Sequence, residues 1–351
     1  MCPNSVEQEV PGELPSPAPL SATLINAGTN TPRPVLAFKF GGSSLLGAER
    51  MLHAASLVRA ASRSSNVVVV VSAMKGVTDR LLSISRLLVG RQLSEARHEA
   101  QSLMDLHFAV LREFDLPEES RSRLRHVLHL LGSDLLHEIP PFGSVPLTPE
   151  LADRLASFGE RLSARLFSAA LESSGVASVP VCSSDFVLTC DTFRDAKPDL
   201  EETKRRGRAT LLPLLEDGLV PVVTGFIGAS PDGRITTLGR NSSDFSGAIV
   251  AHVVDAAELV IWTDVDGIYT QNPHSSAEAR LLQDLSYDEA HALAASGAKV
   301  LHPHVLPLAA ETDMTVWIRN TFKPHVRGTR IGHARSASAT VNDSVQAGGA
   351  A

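Results

Sequence analysis

The chain has 351 residues, of which 43% are hydrophobic and 20% are charged, and its formal net charge is −7. This composition excludes wholesale disorder and a collagen-like fibre, and the length suits one large domain or two intimate lobes with a sizeable core. The negative charge, without a basic stripe that carries interleaved aromatic residues, predicts that nucleic acid is not a partner.

The two ends of the chain differ in composition from the part between them. Residues 1–34 are rich in proline and residues 333–351 are rich in alanine, serine and glycine, so both are predicted to be disordered extensions. No signal peptide or apolar run of membrane-spanning length is recognisable, and no membrane association is expected. Three cysteines without metal-binding spacing favour a reduced, cytoplasmic setting.

Apolar runs alternate with amphipathic stretches along the part between the two ends, which predicts alternating strands and helices. Strands are predicted at residues 35–40, 66–71, 176–181, 219–224, 258–263 and 315–318, the last of them, with a hairpin at 226–237 that turns at 230–233. Helices are predicted around 51–58, within 79–138, at 151–173, between 181 and 219, at 243–254 and at 287–296. Continuous apolar strands separated by helices are typical of a parallel sheet covered on both faces, which any two lobes would share.

Polar and glycine-rich segments follow several of these strands, where open parallel sheets bind ligands. Lys39 precedes Gly41 and Gly42, whose N–H groups could approach an anion at the start of a helix, although a tight strand-to-helix turn explains them equally well. Arg240 and nearby hydroxyl groups open another predicted helix and could hold a carboxylate or a phosphate. Asp244 in that first turn is also explained as a favourable helix-start charge.

Two further segments carry acidic residues at the ends of predicted elements. Glu160 could pair with a substrate ammonium group, or it could only complement a helix dipole. The segment 262–270 places Asp-Val-Asp-Gly after a strand, and a turn rich in aspartate and glycine explains it as well. The sequence contains no P-loop, protein-kinase, G-x-S-x-G or H-E-x-x-H motif, which excludes those classes of enzyme.

Taken together and in this order, the segments resemble the catalytic unit of aspartate kinases in the amino acid kinase superfamily. The matching strings are Lys39-Phe-Gly-Gly-Ser-Ser44, Ser72-Ala-Met-Lys-Gly-Val-Thr78, Gly159-Glu-Arg-Leu-Ser163, Gly225-Phe-Ile-Gly228, Thr237-Leu-Gly-Arg240, Trp262-Thr-Asp-Val-Asp-Gly-Ile-Tyr269, Ser286-Tyr-Asp-Glu-Ala290, Gly297-Ala-Lys-Val-Leu-His-Pro303 and Ile318-Arg-Asn320. The resemblance covers residues 35–332 and implies an α/β fold, a three-layer αβα sandwich around an open, mainly parallel sheet. It also implies an N-terminal amino-acid-binding lobe at 35–225 and a C-terminal nucleotide-binding lobe at 226–332.

The resemblance implies that the chain uses ATP to phosphorylate the β-carboxylate of L-aspartate and forms 4-phospho-L-aspartate. A carboxylate is already ionised at neutral pH, so catalysis would depend on positioning and on neutralising phosphate charge rather than on a strong base. Mg²⁺ would be carried mainly by the ATP phosphates and water, with no separate protein metal site. A homodimer is expected, as is a kinase unit without ACT domains, because only 20 residues follow the family's closing Gly-Thr-Arg-Ile331.

The resemblance assigns individual roles to residues of the matching motifs. The catalytic residues would be Lys39, which contacts the transferring phosphoryl group, and Asp244, which orients Lys39 or the reacting groups. Glu160 would bind the substrate ammonium group and Arg240 a substrate carboxylate, in an amino-acid pocket that is completed by Ser72, Thr78, Phe226 and Ser243. The ATP-binding residues would be Gly41, Gly42, Ser43, Thr263, Asp264, Tyr269 and Lys299.

The chain departs from the family pattern in two loops. The family usually reads Gly-Arg-Gly-Gly-Ser-Asp, whereas this chain has Asn241 and Ser242 in place of two glycines. Their side chains could narrow the pocket, although asparagine tolerates a left-handed backbone. The nucleotide loop usually ends Asp-Pro-Arg and here reads Asn272-Pro-His274, without the arginine. The alternatives are therefore a kinase for a related amino acid or modified carboxyl group, and a non-catalytic ligand-binding homologue.

Overall fold

The computed structural model describes residues 33–140, 142, 146–271, 276, 278–295 and 301–333. Its strands are β1 (Val35–Phe40), β2 (Asn66–Val71), β3 (Ser178–Val181), β4 (Val220–Thr224), β5 (Ile227–Ala229), β6 (Ile235–Thr237), β7 (Glu258–Thr263), β8 (Ile268–Tyr269), β9 (Leu281–Leu282), β10 (Asp284–Leu285), β11 (Thr315–Asn320) and β12 (Thr329–Ile331). Its α-helices are α1 (Gly47–Ala61), α2 (Val77–Val89), α3 (Leu93–Arg112), α4 (Glu118–His137), α5 (Pro149–Ser173), α6 (Leu200–Glu216), α7 (Ser243–Val253), α8 (Tyr287–Ala295) and α9 (Val305–Glu311). Within these residues, no helix combines the length and the apolar character needed to cross a membrane.

One continuous sheet crosses the described part of the chain, with eight strands in the order β10, β12, β11, β7, β1, β2, β4, β3. Every neighbouring pair is parallel except β11 and β12. The strands that precede residue 225 form one half of the sheet and those that follow it form the other, and the two halves meet where β1 pairs with β7. The predicted continuous, mainly parallel sheet is therefore confirmed.

Both faces of the sheet are covered, which explains why the central strands are almost wholly apolar. Val67, Val69 and Val71 of β2 belong to a core cluster that contains residues of α1 to α5. Val68 and Val70 point the other way and belong to a second cluster with residues of α6 to α9. Because successive side chains of a strand alternate between faces, one run of valines serves both cores. This arrangement confirms the three-layer sandwich.

Helix α5 is the long buried helix of the first layer. It begins where Pro149 occupies the first turn and the Thr148 side chain accepts a hydrogen bond from the Leu151 N–H at 3.1 Å. Two of its buried residues are acidic, Asp153 and Glu160. They are seven positions, or about two turns, apart and therefore lie on the same face of the helix.

The structure corrects the prediction at one end of the sheet. The strand predicted to be the last, at 315–318, is β11 and extends to Asn320, and β12 follows and pairs antiparallel with it. Strands β8 to β10 and β12 have only two or three residues, and helix α9 was also not predicted. Such short strands form through tertiary pairing and contain no apolar run that a sequence pattern could detect. The predicted hairpin at 226–237 is confirmed as β5 and β6.

Candidate active site

A cavity of about 720 Å³ lies at the carboxyl ends of β1, β2 and β4. Parallel sheets place ligands at this edge, because the loops that follow neighbouring strands converge there. The structure brings most of the predicted catalytic and amino-acid-binding residues, with both loop glycines, to the lining of this cavity: Lys39, Gly41, Gly42, Ser72, Thr78, Glu160, Phe226, Arg240, Ser243 and Asp244.

Lys39 and Asp244 form an ion pair inside this pocket, with 2.7 Å between Nζ and Oδ1. Lys39 is only 6% exposed and extends from β1. Asp244 lies in the first turn of α7, where a negative charge is favourable. Asp244 therefore holds a buried ammonium group in a fixed position at the end of the central strand.

Glu160 is 4% exposed and reaches the pocket from α5. Its Oε1 accepts a hydrogen bond from the Ala73 N–H at 3.0 Å, whereas its Oε2 has no hydrogen-bond partner among the described residues. Burial raises the pKa of Glu160 to about 8, against the opposing effects of the Ala73 hydrogen bond and the Lys39 charge. The free oxygen is thus suited to a cation, which would restore the ionised form.

The glycine loop after β1 packs tightly against two other loops. A Cβ atom on Gly42 would lie 2.7 Å from the Ala73 carbonyl oxygen, and the Lys75 N–H donates to the Gly42 carbonyl oxygen at 3.0 Å. The Gly41 N–H donates to the Trp262 carbonyl oxygen at 3.2 Å. The glycine at position 42 therefore allows a close backbone approach that joins the loops after β1 and β2.

The remaining predicted amino-acid-binding residues lie around this centre. The Ser72 hydroxyl donates to the Ser243 hydroxyl at 2.8 Å, which joins the end of β2 to the start of α7. Phe226 has a left-handed backbone with φ +69°, and its N–H donates to the Ser246 hydroxyl at 2.7 Å. Thr78 lies in the first turn of α2 and lines the pocket.

Arg240 and the altered glycine loop lie at the mouth of the pocket. The Arg240 side chain is 77% exposed and its Nη2 lies 3.4 Å from Oδ1 of Asp79. Asn241 adopts a left-handed backbone with φ +63°, whereas Ser242 has φ −78° and requires no glycine. Both residues line the pocket, and α7 begins directly after them. Asn241 thus supplies a left-handed residue to this loop, whereas Ser242 is fully buried and its hydroxyl has no hydrogen-bond partner among the described residues.

The other predicted ATP-binding residues that the structure describes are outside the lining of this cavity. Ser43 lies in the turn after β1, where its carbonyl oxygen accepts a hydrogen bond from Arg50 Nη1 at 2.7 Å. Thr263 ends β7, and its hydroxyl donates to Oδ1 of the neighbouring Asp264 at 3.3 Å. The Tyr269 hydroxyl donates to Oδ2 of Asp266 at 3.4 Å. Lys299, together with the altered loop at 272–274, lies outside the described residues.

Asp153 and Arg194 are among the residues of the pocket lining that were not predicted from the sequence. Asp153 is 2% exposed and accepts three hydrogen bonds: Oδ2 from the N–H groups of Arg194 and Thr237, both at 2.8 Å, and Oδ1 from the Thr237 hydroxyl at 2.9 Å. Burial raises the pKa of Asp153, against these hydrogen bonds. The only sequence signal is its seven-residue spacing from Glu160, because an isolated aspartate in an amphipathic helix resembles a surface charge.

Residues 34–320 match the family model described as the amino acid kinase family. The chain belongs to this family. It is similar to lysine-sensitive aspartokinase 3 of Escherichia coli, with 32% identity over 298 residues that cover 85% of this chain and 64% of the relative. It is 33% identical over 315 residues to chloroplastic aspartokinase 1 of Arabidopsis thaliana, covering 88% of this chain and 53% of that protein. The chain thus spans about half to two thirds of the length of these curated relatives.

Solved structures show the same relationship. The crystal structure of E. coli aspartokinase III in complex with aspartate and ADP, in the R-state, has a TM-score of 0.76 and 30% identity, covering 87% of this chain and 65% of that one. The T-state structure of that enzyme with lysine and aspartate has a TM-score of 0.74 and 30% identity, covering 87% and 66%. These comparisons confirm the amino acid kinase fold and the resemblance to aspartate kinases.

Proposed function

We propose that this chain is an aspartate kinase, which transfers the γ-phosphoryl group of ATP to the β-carboxylate of L-aspartate and forms 4-phospho-L-aspartate. The observation that carries the proposal is the convergence, in one pocket, of the Lys39–Asp244 ion pair, the free Oε2 of Glu160 and Arg240 beside a glycine loop. The similarity to aspartokinases supports the same assignment.

The pocket can recognise both the ammonium group and the α-carboxylate of an α-amino acid. The substrate ammonium group would bind the free oxygen of Glu160, and the α-carboxylate would bind the guanidinium group of Arg240. With both of these groups bound, the side-chain carboxylate is the part of L-aspartate left to face Lys39. The residues therefore orient the substrate through groups that do not react.

The chemical step requires little from the protein beyond position and charge. A β-carboxylate oxygen attacks the γ-phosphorus in line, the bond between the γ-phosphorus and the bridging oxygen breaks, and ADP leaves with that electron pair. Lys39 would neutralise the charge that develops on the transferring group. Backbone N–H groups of the glycine loop would stabilise the same charge, except that of Gly41, which is bonded to the Trp262 carbonyl oxygen. No proton has to be removed from the nucleophile, since the carboxylate is ionised at neutral pH.

Nucleotide binding is also part of the proposal. Residues 226–332 would hold the nucleotide, with contacts from Thr263, Asp264, Tyr269 and Lys299. The described residues contain no group of three or more His, Cys, Asp or Glu side chains that could hold a metal ion. Mg²⁺ would be carried mainly by the ATP phosphates and water, and it would supply neutralisation of phosphate charge.

An ATP assay that traps the acyl phosphate with hydroxylamine tests this function. Aspartyl hydroxamate is expected with L-aspartate, and little or none with N-acetyl-L-aspartate, which has no ammonium group for Glu160. L-Alanine, which has the same α-ammonium and α-carboxylate groups but no β-carboxylate, serves as the control that lacks the nucleophile. Turnover of a related acid but not of L-aspartate would indicate a kinase for a related amino acid or modified carboxyl group. Nucleotide binding without any turnover would indicate a non-catalytic ligand-binding homologue.

The proposed homodimer is tested separately, by sedimentation of the same sample.

A further inference from the structure

Arg194 lines the pocket but has no role in the proposed mechanism. It is a non-glycine residue with a left-handed backbone, φ +73°, in the loop between β3 and α6. It lines the same pocket as Lys39, Glu160 and Arg240. Within the described part of the chain, its guanidinium group has no hydrogen-bond or ion-pair partner. Arg194 therefore presents to the pocket a cation without a hydrogen-bonded partner in the described residues, whose charge acts on the nearby Asp153 carboxylate.

The backbone of Arg194 is held in place from two sides. Its N–H donates to the buried carboxylate of Asp153, which also binds Thr237 of β6. Two residues along, the Ala196 N–H donates to the Thr237 carbonyl oxygen at 2.9 Å. A left-handed backbone is unfavourable for a non-glycine residue, whereas glycine adopts it freely. The backbone geometry therefore favours glycine, and the presence of arginine points to a role for its side chain.

The charges around the pocket leave few free cations. Lys39 is paired with Asp244, and Arg240 is next to Asp79. Besides Arg194, Lys75 is a lining cation without an ion pair among the described residues, and its backbone contacts the glycine loop. Arg194 is instead on the side of Arg240, because its carbonyl oxygen is 3.7 Å from the position that a Cβ atom on Gly239 would take. Arg194 and Arg240 thus approach the pocket from adjacent loops.

We propose that Arg194 is a second carboxylate-recognising residue, which binds the non-reacting α-carboxylate of the substrate together with Arg240. This inference rests on the proposed function, since it concerns how that site selects its amino acid. A planar guanidinium group can donate two parallel hydrogen bonds to a carboxylate, and two such groups can bind both carboxylate oxygens. The contact would be made equally in the ground state and the transition state, so it should act on KM rather than on kcat.

Arg194→Gly is the informative variant, because glycine suits the backbone and removes only the side chain. Its KM for L-aspartate is expected to rise roughly tenfold, as for loss of one charged hydrogen bond, with kcat and the KM for ATP nearly unchanged. Its Tm should equal or exceed that of the unaltered chain, since strain is relieved. The α-amide of L-aspartate, which lacks the α-carboxylate, should show almost no change in KM between the two proteins.

Arg91→Gly is the matched control, since Arg91 also has a positive φ, +56°, and lies outside the pocket lining. It should leave every kinetic constant unchanged. An unchanged KM for L-aspartate in Arg194→Gly would overturn the inference, as would an equal rise in KM with the α-amide, which would mean that Arg194 only shapes the loop. If the unaltered chain forms no aspartyl hydroxamate, the proposed function fails separately. Calorimetric titration of L-aspartate into both proteins then decides, and equal affinity or no binding overturns the inference.

Discussion

At the scale of single residues, the protonation of Glu160 depends on what occupies the pocket. Burial raises the pKa of Glu160 to about 8, so its carboxyl group is largely protonated at pH 7 in the absence of ligand. An ammonium group bound at Oε2 would favour the ionised form and lower this pKa. Binding of the amino acid is therefore coupled to release of a proton, and the affinity should rise as the pH rises towards 8.

Calorimetry can measure this coupling directly. Titration of L-aspartate at pH 7 in phosphate and in Tris buffer is expected to give different apparent enthalpies, corresponding to release of about one proton. Glu160→Gln should bind more weakly and show no difference between the buffers. The same pKa shift predicts that, without ligand, the contribution of Glu160 to the free energy of unfolding falls as the pH rises from 4.5 to about 8. Equal apparent enthalpies in both buffers for the unaltered chain would contradict this prediction.

The Lys39–Asp244 pair gives a second prediction at this scale. Lys39→Met keeps the length and the apolar stem of the buried side chain and removes the charge that faces the reacting groups. We expect kcat to fall by about 10²–10³-fold, as when one preorganised charge-stabilising donor is lost, with a much smaller change in the KM for L-aspartate. Asp244→Asn, which retains a hydrogen-bond acceptor, should lose less. The hydroxamate assay measures both variants, and a kcat of Lys39→Met within threefold of the unaltered chain would exclude the assigned role.

The residues of the site that could be predicted lie in short motifs, and those that could not are defined by tertiary contacts. Lys39, Arg240 and Asp244 are next to glycines and hydroxyl residues at the ends of predicted elements, where ligands commonly bind. Asp153 has no such neighbours, because its partners, Arg194 and Thr237, are more than 40 residues away in the sequence. No local pattern could indicate that its carboxylate is buried.

At the scale of elements, the contact between the loops after β1 and β2 depends on a missing side chain. A Cβ atom on Gly42 would collide with the backbone of Ala73, whereas one on Gly41 would have Lys39 Nζ at 3.6 Å as its nearest neighbour. Gly41 also has φ −75°, which suits any residue. The packing of the two loops therefore requires glycine at position 42 but not at position 41.

Alanine substitution should separate these two glycines. Gly42→Ala is expected to lower the free energy of unfolding by about 1–3 kcal/mol, since the backbone of one loop has to move. Gly41→Ala, the matched control, should change it by less than about 0.5 kcal/mol, because no backbone contact is disturbed. Urea titrations of both variants give the comparison. Equal destabilisation by the two substitutions would show that the close approach at Gly42 is not what constrains the loop.

Strands with a long apolar run could be predicted from the sequence, whereas the short strands β8 to β10 and β12 could not. β1, β2, β4 and β7 each contain at least five residues, mostly apolar, and were recognised with bounds within one residue of those observed. β12 has only three residues, Thr-Arg-Ile, and exists because it pairs with β11. A charged arginine in the middle of these three residues leaves no apolar run in the sequence. The segment is therefore a strand only through its pairing in the sheet.

At the scale of the whole molecule, one sheet separates two hydrophobic cores and supplies residues to both. Val68 and Val69 are adjacent in β2, are fully buried, and belong to opposite cores. Neither core can persist once the central strands separate, because each of these strands contributes side chains to both cores. We therefore expect the two predicted lobes to unfold together, although the boundary between them at residue 225 is itself a prediction.

The pair Val68→Ala and Val69→Ala tests this coupling. Each substitution removes two buried methyl groups from a different core and should lower the free energy of unfolding by about 1–3 kcal/mol. The chain has two tryptophans, Trp262 in β7 and Trp317 in β11, so fluorescence reports on the central sheet while far-UV circular dichroism reports mainly on the helices. Both signals should follow one transition, and both variants should shift it as a whole. Two separate transitions, with both variants shifting the same one because β2 belongs to the predicted N-terminal lobe, would mean that the lobes are independent folding units despite their shared sheet.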